Sequence, residues 1–533
     1  MTKKNGAEKR EAGRFAFGLV VLLALPVFIF SSCKGINDGE SEETEQSAAP
    51  TAAETAAAKS EPVQKSVDFV LTSSHSGEWK VYNTAAAGSP LPGVSASFRA
   101  PVLTLTGSGD DLAERTYYVA VTEPGKTESR RLALTVEAYS TPLAIPVKSA
   151  STPMRHVGGL HTAEDFARIK EKLAGNEEPW VSGYAKLTAN SHAQSTYTPN
   201  PVTQIVRGGD GENYSRAFND AAAAYQLAIR WKISGDAVFA ARSVYILNEW
   251  AKTCTEPITG TTDQSLAAGL YGYQFAVAAE LLTGYSGWAP SDFIAFKQWM
   301  LDIFFPKNYD FLTRHHDTHD DHYWANWDLC NLASVLAIGI LTDRRDIYNI
   351  AVRYLQEGVG NGNFYKFINY IHNTADGEEL GQLQESGRDQ GHATLCIALM
   401  DVICQLTWNQ GDDFYGLDGN RFLKACEYTA KYNIANLDVP FHEYTRLWGN
   451  KNQYPIPRVE THTAISSSGR GTSRPMWAGP YYHYAKVKGL EESKVKYTKM
   501  GVEATAPEGG GGDYGSTSGG YDQLGFGTLM YAR

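Results

Sequence analysis

From about residue 154 the sequence repeats one pattern: an apolar run at helical spacing, a short break of Gly, Asp or Pro, then another run. The runs fall at 218–233, 237–251, 266–282, 294–305, 326–341, 348–355, 393–407 and 422–432. Each presents apolar side chains at helix spacing. Breaks as short as Ser234-Gly235-Asp236, Thr283-Gly284, Ala289-Pro290 and Thr342-Asp343 make neighbouring helices antiparallel. Stacked helical hairpins over this length predict an (α/α) toroid, and the lack of a strict repeat argues against a regular solenoid. The expected fold is mainly α, an incomplete toroid over 150–533. His161-Thr162-Ala163-Glu164 reads as a helix N-cap region,. After Asn433 the chain turns loop-rich and aromatic, and the glycine-rich 509–526 reads as a surface segment folding back on the helices.

A different pattern precedes the helices. Short β-type runs at 67–71, 79–82, 102–105, 115–121 and 131–136 alternate with Ser-Gly, Pro-Gly and Gly-Ser-Gly-Asp turns, which predicts a small Ig-like β-sandwich over 66–140. A spacer role is expected for it, with sugar binding through Trp79 or Tyr82 as the alternative. Residues 34–65, acidic and then Ala/Thr/Pro/Ser-rich, bury too little to fold and read as a disordered linker,. Lys3, Lys4, Lys9, Arg10 and Arg14, the apolar run 15–30 and Ser31-Ser32-Cys33 read as a lipoprotein signal over 1–33, with lipidation at Cys33. An uncleaved anchor is the alternative. The chain is expected to be exported and lipid-anchored to the outer membrane or cell surface, or to the periplasmic face.

The net charge of -11 argues against nucleic acid as a partner. Beyond Cys33 the cysteines are Cys254, Cys330, Cys396, Cys404 and Cys426. An odd count without C-x-x-C argues against a disulfide framework or a thiolate zinc site. Most sit in apolar helical runs as small buried hydrophobes.

The densest chemistry lies at 381–392, Gly-Gln-Leu-Gln-Glu-Ser-Gly-Arg-Asp-Gln-Gly-His, directly before an apolar run. It stands at a helix mouth, where free backbone N–H groups favour negative charge. If the helix begins early, Glu385, Arg388 and His392 share one face. A cation and a group that titrates near neutral pH suit an acidic sugar; an ion-paired helix cap over the core is the structural alternative. His315-His316-Asp317-Thr318-His319-Asp320-Asp321-His322 invites a metal reading. No cofactor is expected, and a structural divalent metal at His315, His319 and Asp320 is the alternative. Asn326 opens a long apolar run and either caps it or points inward. His442, Tyr444 and Arg446 form a further polar group.

Residues 322–328, His-Tyr-Trp-Ala-Asn-Trp-Asp, followed by Glu385-Ser386-Gly387-Arg388-Asp389-Gln390-Gly391-His392 resemble the alginate-lyase superfamily of helical-toroid polysaccharide lyases. Residues 220–235, 267–282 and 475–490 fit the same group, so the likeness runs from about His156 to Arg533. It implies β-elimination on a uronate polymer of alginate or glucuronan type, giving a 4,5-unsaturated uronate end. In that reading Asn326 and Arg388 neutralise the sugar carboxylate. Glu385 is a protonated helper or orients His392, His392 is the base, and Tyr444 is the acid, or acid and base together. His322, Trp327, Gln384, Arg446 and Tyr482 are expected to bind substrate. The sequence has Asn326-Trp327 where related lyases carry Asn-His, so the histidine comes from elsewhere, His392 or His322. The rival readings are a glycoside hydrolase using Glu385 with Asp328 or Glu443, and a non-catalytic surface glycan-binding lipoprotein.

Overall fold

The computed structural model describes residues 58–60, 66–71, 75–107, 112, 115–138 and 143–533. The expected signal, Cys33 and most of the expected linker lie outside these residues.

The N-terminal part folds as two facing sheets. Strands β1 (Ala58–Ser60), β2 (Ser66–Val70), β3 (Glu78–Tyr82), β4 (Val94–Arg99), β5 (Val102–Gly107), β6 (Arg115–Thr122) and β7 (Leu132–Ala138) form the orders β1-β7-β6-β3 and β2-β5-β4. Between them lie Val67, Phe69, Val81, Leu103, Leu105, Tyr117, Val119, Val121 and Leu134, the inward half of a period-two pattern. β1 falls within the stretch expected as linker. It joins β7 as a parallel edge strand, which needs backbone pairing rather than apolar side chains. Trp79 and Tyr82 are buried, so neither offers a ring face to a sugar. Strand β4 escaped the sequence reading because Val-Ser-Ala-Ser-Phe-Arg holds few large apolar residues.

The rest is helical. The helices are α1 (Ala163–Ala174), α2 (Trp180–Ala189), α3 (Ser215–Ser234), α4 (Ala237–Thr253), α5 (Gln264–Leu281), α6 (Pro290–Trp299), α7 (Phe305–Arg314), α8 (Ala325–Leu341), α9 (Arg345–Glu357), α10 (Phe364–Phe367), α11 (Gln390–Asn409), α12 (Leu417–Asn433), α13 (Ala478–Tyr482), α14 (Lys496–Thr505) and α15 (Gly527–Tyr531). Helices α3, α5, α8 and α11 pack side by side as an inner row, with α4, α7, α9 and α12 packed against them. This alternation is the (α/α) toroid. Almost every residue of α5 and α8 is buried, as an inner-row helix apolar on all sides must be. The close approach of these two helices depends on glycine. A Cβ at Gly269 would collide with Cys330 Sγ, and one at Gly272 with Ser334 Oγ. The turn between α3 and α4 follows its residues: Gly235 takes the left-handed C-cap, and Asp236 caps α4 by accepting from Val238 N,. The single helix expected at 294–305 is instead α6, a π-helical turn Met300–Phe304, and α7 with Pro306 in its first turn.

Four further strands matter to the site: after β8 (Val206–Arg207) and β9 (Thr259–Gly260), the hairpin β10 (Ile368–Asn373) and β11 (Glu379–Leu383), and the hairpin β12 (Tyr444–Trp448) and β13 (Arg458–His462). The glycine-rich segment folds back as expected, but much of it is buried rather than superficial. Tyr273 OH donates to the Asp522 carbonyl, Gln274 to the Tyr521 carbonyl and Gln226 to the Gly511 carbonyl. These inner-helix side chains satisfy a backbone that would otherwise stay in solvent.

Candidate active site

Helix α8 has no cap of its own, since Trp324 at its N-cap position supplies no side-chain acceptor. The loop after β11 supplies the acceptors. Gln384 Oε1 accepts from Ala325 N at 3.2 Å and Glu385 Oε1 from Asn326 N at 2.8 Å. Asn326 lies in the first turn rather than capping it, and its side-chain amide donates to the same Glu385 oxygen at 2.6 Å. Arg388 Nη1 donates to Glu385 Oε2 at 2.8 Å, and the Cys396 thiol to Oε1 at 3.2 Å. Glu385 is fully buried, and a buried carboxylate needs this many donors. Burial, then the neighbouring Glu385, push the Cys396 thiol far above its usual range, so it acts as a donor.

The expected shared helix face for Glu385, Arg388 and His392 is corrected. Residues 385–388 form a turn, and α11 starts at Gln390 with Asp389 as N-cap. Asp389 is extended, at φ -168° and ψ 162°, and accepts from His392 N, which stops the helix from reaching back. Gln390 N is also engaged, by the Ser468 carbonyl at 2.8 Å, so N–H groups expected to be open to an anion have partners. Asp389, rather than Glu385, orients His392: the ring Nδ1 lies 2.7 Å from Asp389 Oδ2. Burial opposes ionisation of Asp389, but the His392 contacts and the Arg388 charge hold it below the usual carboxylate range. An ionised carboxylate only accepts, so Nδ1 carries the proton. Arg388 Nε lies 3.5 Å from Asp389 Oδ2. Asn326, Glu385, Arg388, Asp389 and His392 thus form one continuous chain of contacts.

The β12–β13 hairpin adds the rest. Its register sets Tyr444 opposite His462 and Arg446 opposite Glu460. Tyr444 OH donates to the Gln384 carbonyl. Burial, then the Glu385 charge, hold its phenol well above the usual value, so it is a neutral donor. Arg446 pairs with Glu460 at 2.5 Å, donates to the His322 carbonyl and lies 4.1 Å over the Trp324 ring, which Arg388 also approaches at 5.0 Å. His322 Nδ1 accepts from Gly449 N at 2.9 Å, and burial with the Arg446 charge brings its pKa down to about 4. Trp327 packs among aromatic rings at a tilt, 4.6 Å from Tyr323 and 5.8 Å from Phe311. Tyr482 ends α13 with its ring 5.0 Å from Tyr481, and hydrogen-bonds to none of the cluster among the described residues. The sequence reading missed Asp389 as a functional residue, although an Asp directly before a helical run is a cap signal. It also missed His462.

The His-rich loop is divided among separate partners. His315 Nε2 contacts Asp328 at 2.7 Å and the Tyr354 hydroxyl at 3.1 Å, His319 Nε2 contacts the Tyr454 carbonyl at 2.7 Å, and Asp320 pairs with Lys451 at 3.2 Å. Among the described residues, no three His, Cys, Asp or Glu side chains gather as metal ligands.

The site is thus a cationic, imidazole-bearing cluster at the end of an inner helix of a toroid. Residues 182–438, just under half of the chain, match the family described as Alginate lyase, which supports a polysaccharide lyase. No curated protein matches the chain. Among solved structures, an alginate lyase from Bacteroides ovatus is similar at 14% identity and TM-score 0.46, covering 71% of this chain and 100% of that one. Alginate lyase A1-III from Sphingomonas species A1 is similar at 12% identity and TM-score 0.44, covering 65% and 92%. A variant of A1-III complexed with a tetrasaccharide is similar at 14% identity and TM-score 0.44, covering 67% and 92%.

Proposed function

We propose that the protein cleaves a uronate-containing polysaccharide, of alginate or glucuronan type, by β-elimination. The observation that carries this reading is the single chain of contacts joining Asn326, Glu385, Arg388, Asp389 and His392. The C5 proton of a uronate is weakly acidic, and its loss builds charge on the carboxylate. Donors from Asn326 and Arg388 stabilise that charge. His392, with Nδ1–H held by Asp389, accepts the C5 proton at Nε2. The C5–H electrons form the C4–C5 double bond, the C4–O4 bond breaks, and Tyr444 gives its proton to the departing oxygen. His322 is a poor base by comparison, because its Nδ1 is already an acceptor and its Nε2 must then carry the ring proton. A neutral Tyr444 fits the acid alone better than acid and base together.

Incubation with alginate, glucuronan and glycosaminoglycans, followed by ultraviolet absorbance, tests the reading. Growth of the unsaturated-uronate chromophore is expected on at least one polymer. Tyr444→Phe and His392→Ala should each lower its rate by roughly 100-fold or more. Reducing ends without the chromophore would overturn elimination, and full activity in both variants would overturn the proton-transfer pair. We also propose that Cys33 carries a lipid. Labelling of the wild type but not of Cys33→Ala by a fatty-acid probe is the expected result.

A further inference from the structure

Charge in the candidate site does not balance for an acidic sugar. The guanidiniums of Arg388 and Arg446, both close to Trp324, already face the carboxylates of Glu385, Asp389 and Glu460. A uronate adds another negative charge. It is left uncompensated unless some side chain is protonated in the complex.

His462 stands where such a group is needed. Across the β12–β13 pairing it faces Tyr444, with ring centroids 5.0 Å apart and planes 25° apart. It meets Trp324 edge-on, at 5.5 Å and 65°. Gly387 lies against it: a Cβ there would come within 2.7 Å of His462 Cβ. Only 12% of the side chain is exposed. Among the described residues its buried Nε2 has no hydrogen-bond partner, and Glu460 Oε1 stays 3.5 Å away while that carboxylate holds Arg446. A buried polar nitrogen left unpaired costs stability, and a ligand that satisfies it recovers that cost.

We propose that His462 contacts the substrate, taking up a proton as the uronate binds and donating Nε2–H to the sugar carboxylate. This rests on the uronate-lyase reading above and adds a neutralising group to it. The charged and titratable groups near the ring are Tyr444 and Arg446 from β12 and Glu460 from its own strand, and the loop whose Gly387 packs against it carries Glu385, Arg388 and Asp389. The two guanidiniums oppose protonation in the free enzyme, and the carboxylates and the incoming uronate favour it. The binding form is the protonated one, so this contribution weakens as pH rises. His392 acts in the opposite sense, because it must be neutral to accept a proton. A bell-shaped profile of kcat/KM follows.

The test is the pH profile of kcat/KM for the full chain and His462→Phe on the uronate polymer it degrades. Phenylalanine keeps a ring against Tyr444 and Trp324 and removes the nitrogens. The expected result is an unchanged Tm, a fall in kcat/KM of roughly 100-fold near pH 6, and loss of the alkaline limb with the acid limb retained. If His462→Phe fails to fold, His462→Gln should show the same lost limb. A folded variant with wild-type kcat/KM and an intact bell overturns the proposal alone. A wild type that makes no unsaturated product from any uronate polymer overturns the lyase reading and this proposal together.

Discussion

Asn326 Nδ2 and Glu385 Oε1 meet at 2.6 Å across 59 residues of sequence. This contact fixes the start of an inner helix to the loop that carries Arg388. Glu385 serves two purposes at once. It satisfies donors of α8 that have no other cap, and it holds the Asn326 amide and the Arg388 guanidinium in one place.

Removal of Glu385 should therefore damage both fold and activity. Glu385→Ala leaves the Asn326 donors buried and Arg388 without its partner. A loss of roughly 3 kcal/mol is expected in denaturant unfolding. Glu385→Gln keeps an acceptor for Asn326 and should cost less stability. It should still lose activity, because Arg388 is no longer held by charge.

Asp389→Asn isolates the orientation of His392. The amide can still accept from His392 N and cap α11, but it no longer offers the ring Nδ1–H a charged acceptor. Thermal stability should change by less than about 1 kcal/mol, while kcat falls roughly 100-fold. Equal activity in the variant would show that Asp389 acts only as a cap.

Helix α11 buries a second carboxyl away from the site. Asp401 accepts from Tyr415 OH at 2.7 Å, and burial raises its pKa to about 8. A raised folded-state pKa means that the folded chain holds the proton more tightly than the unfolded chain. The stability this gives is complete below the unfolded value and is lost as pH rises toward about 8. Glu508, raised by burial to about 7, acts in the same direction. Asp401→Asn removes the ionisation, so the difference in Tm between variant and wild type should grow in favour of the variant from pH 5 to pH 8.

Gly269→Ala tests the close packing of α5 on α8. Alanine favours a helix over glycine by about 1 kcal/mol. Here the added methyl meets Cys330 Sγ and the backbone of α8. A net loss of about 1–3 kcal/mol is expected. A gain in stability would mean that the helices can move apart freely.

The helical framework was legible because its signal is local. Apolar spacing and the Ser234-Gly235-Asp236 and Thr342-Asp343 breaks placed α3, α4, α5, α8, α9, α11 and α12 to within a few residues of the observed ends, but not α7, which the run at 294–305 did not separate from α6. The site was only partly legible because its contacts are long-range. Arg388 and Glu385 do meet at a spacing of three, but in a turn, since Asp389 competes with the helix for the backbone N–H of His392. Local spacing cannot register that competition. His462 was missed because Arg458-Val459-Glu460-Thr461-His462 is a short, largely polar strand whose partner lies beyond a long loop. Alternation in Tyr444-Thr445-Arg446-Leu447-Trp448, which the sequence reading did not take as a strand, was the signal that could have located it.

Mass spectrometry of the products tests the central claim most directly. Elimination divides the polymer without adding water, so the two fragment masses from a defined uronate oligosaccharide should sum to the mass of the parent. That result is expected for the wild type, with the parent left essentially intact by Tyr444→Phe over the same time. Fragment masses that sum to the parent plus one water would contradict the account.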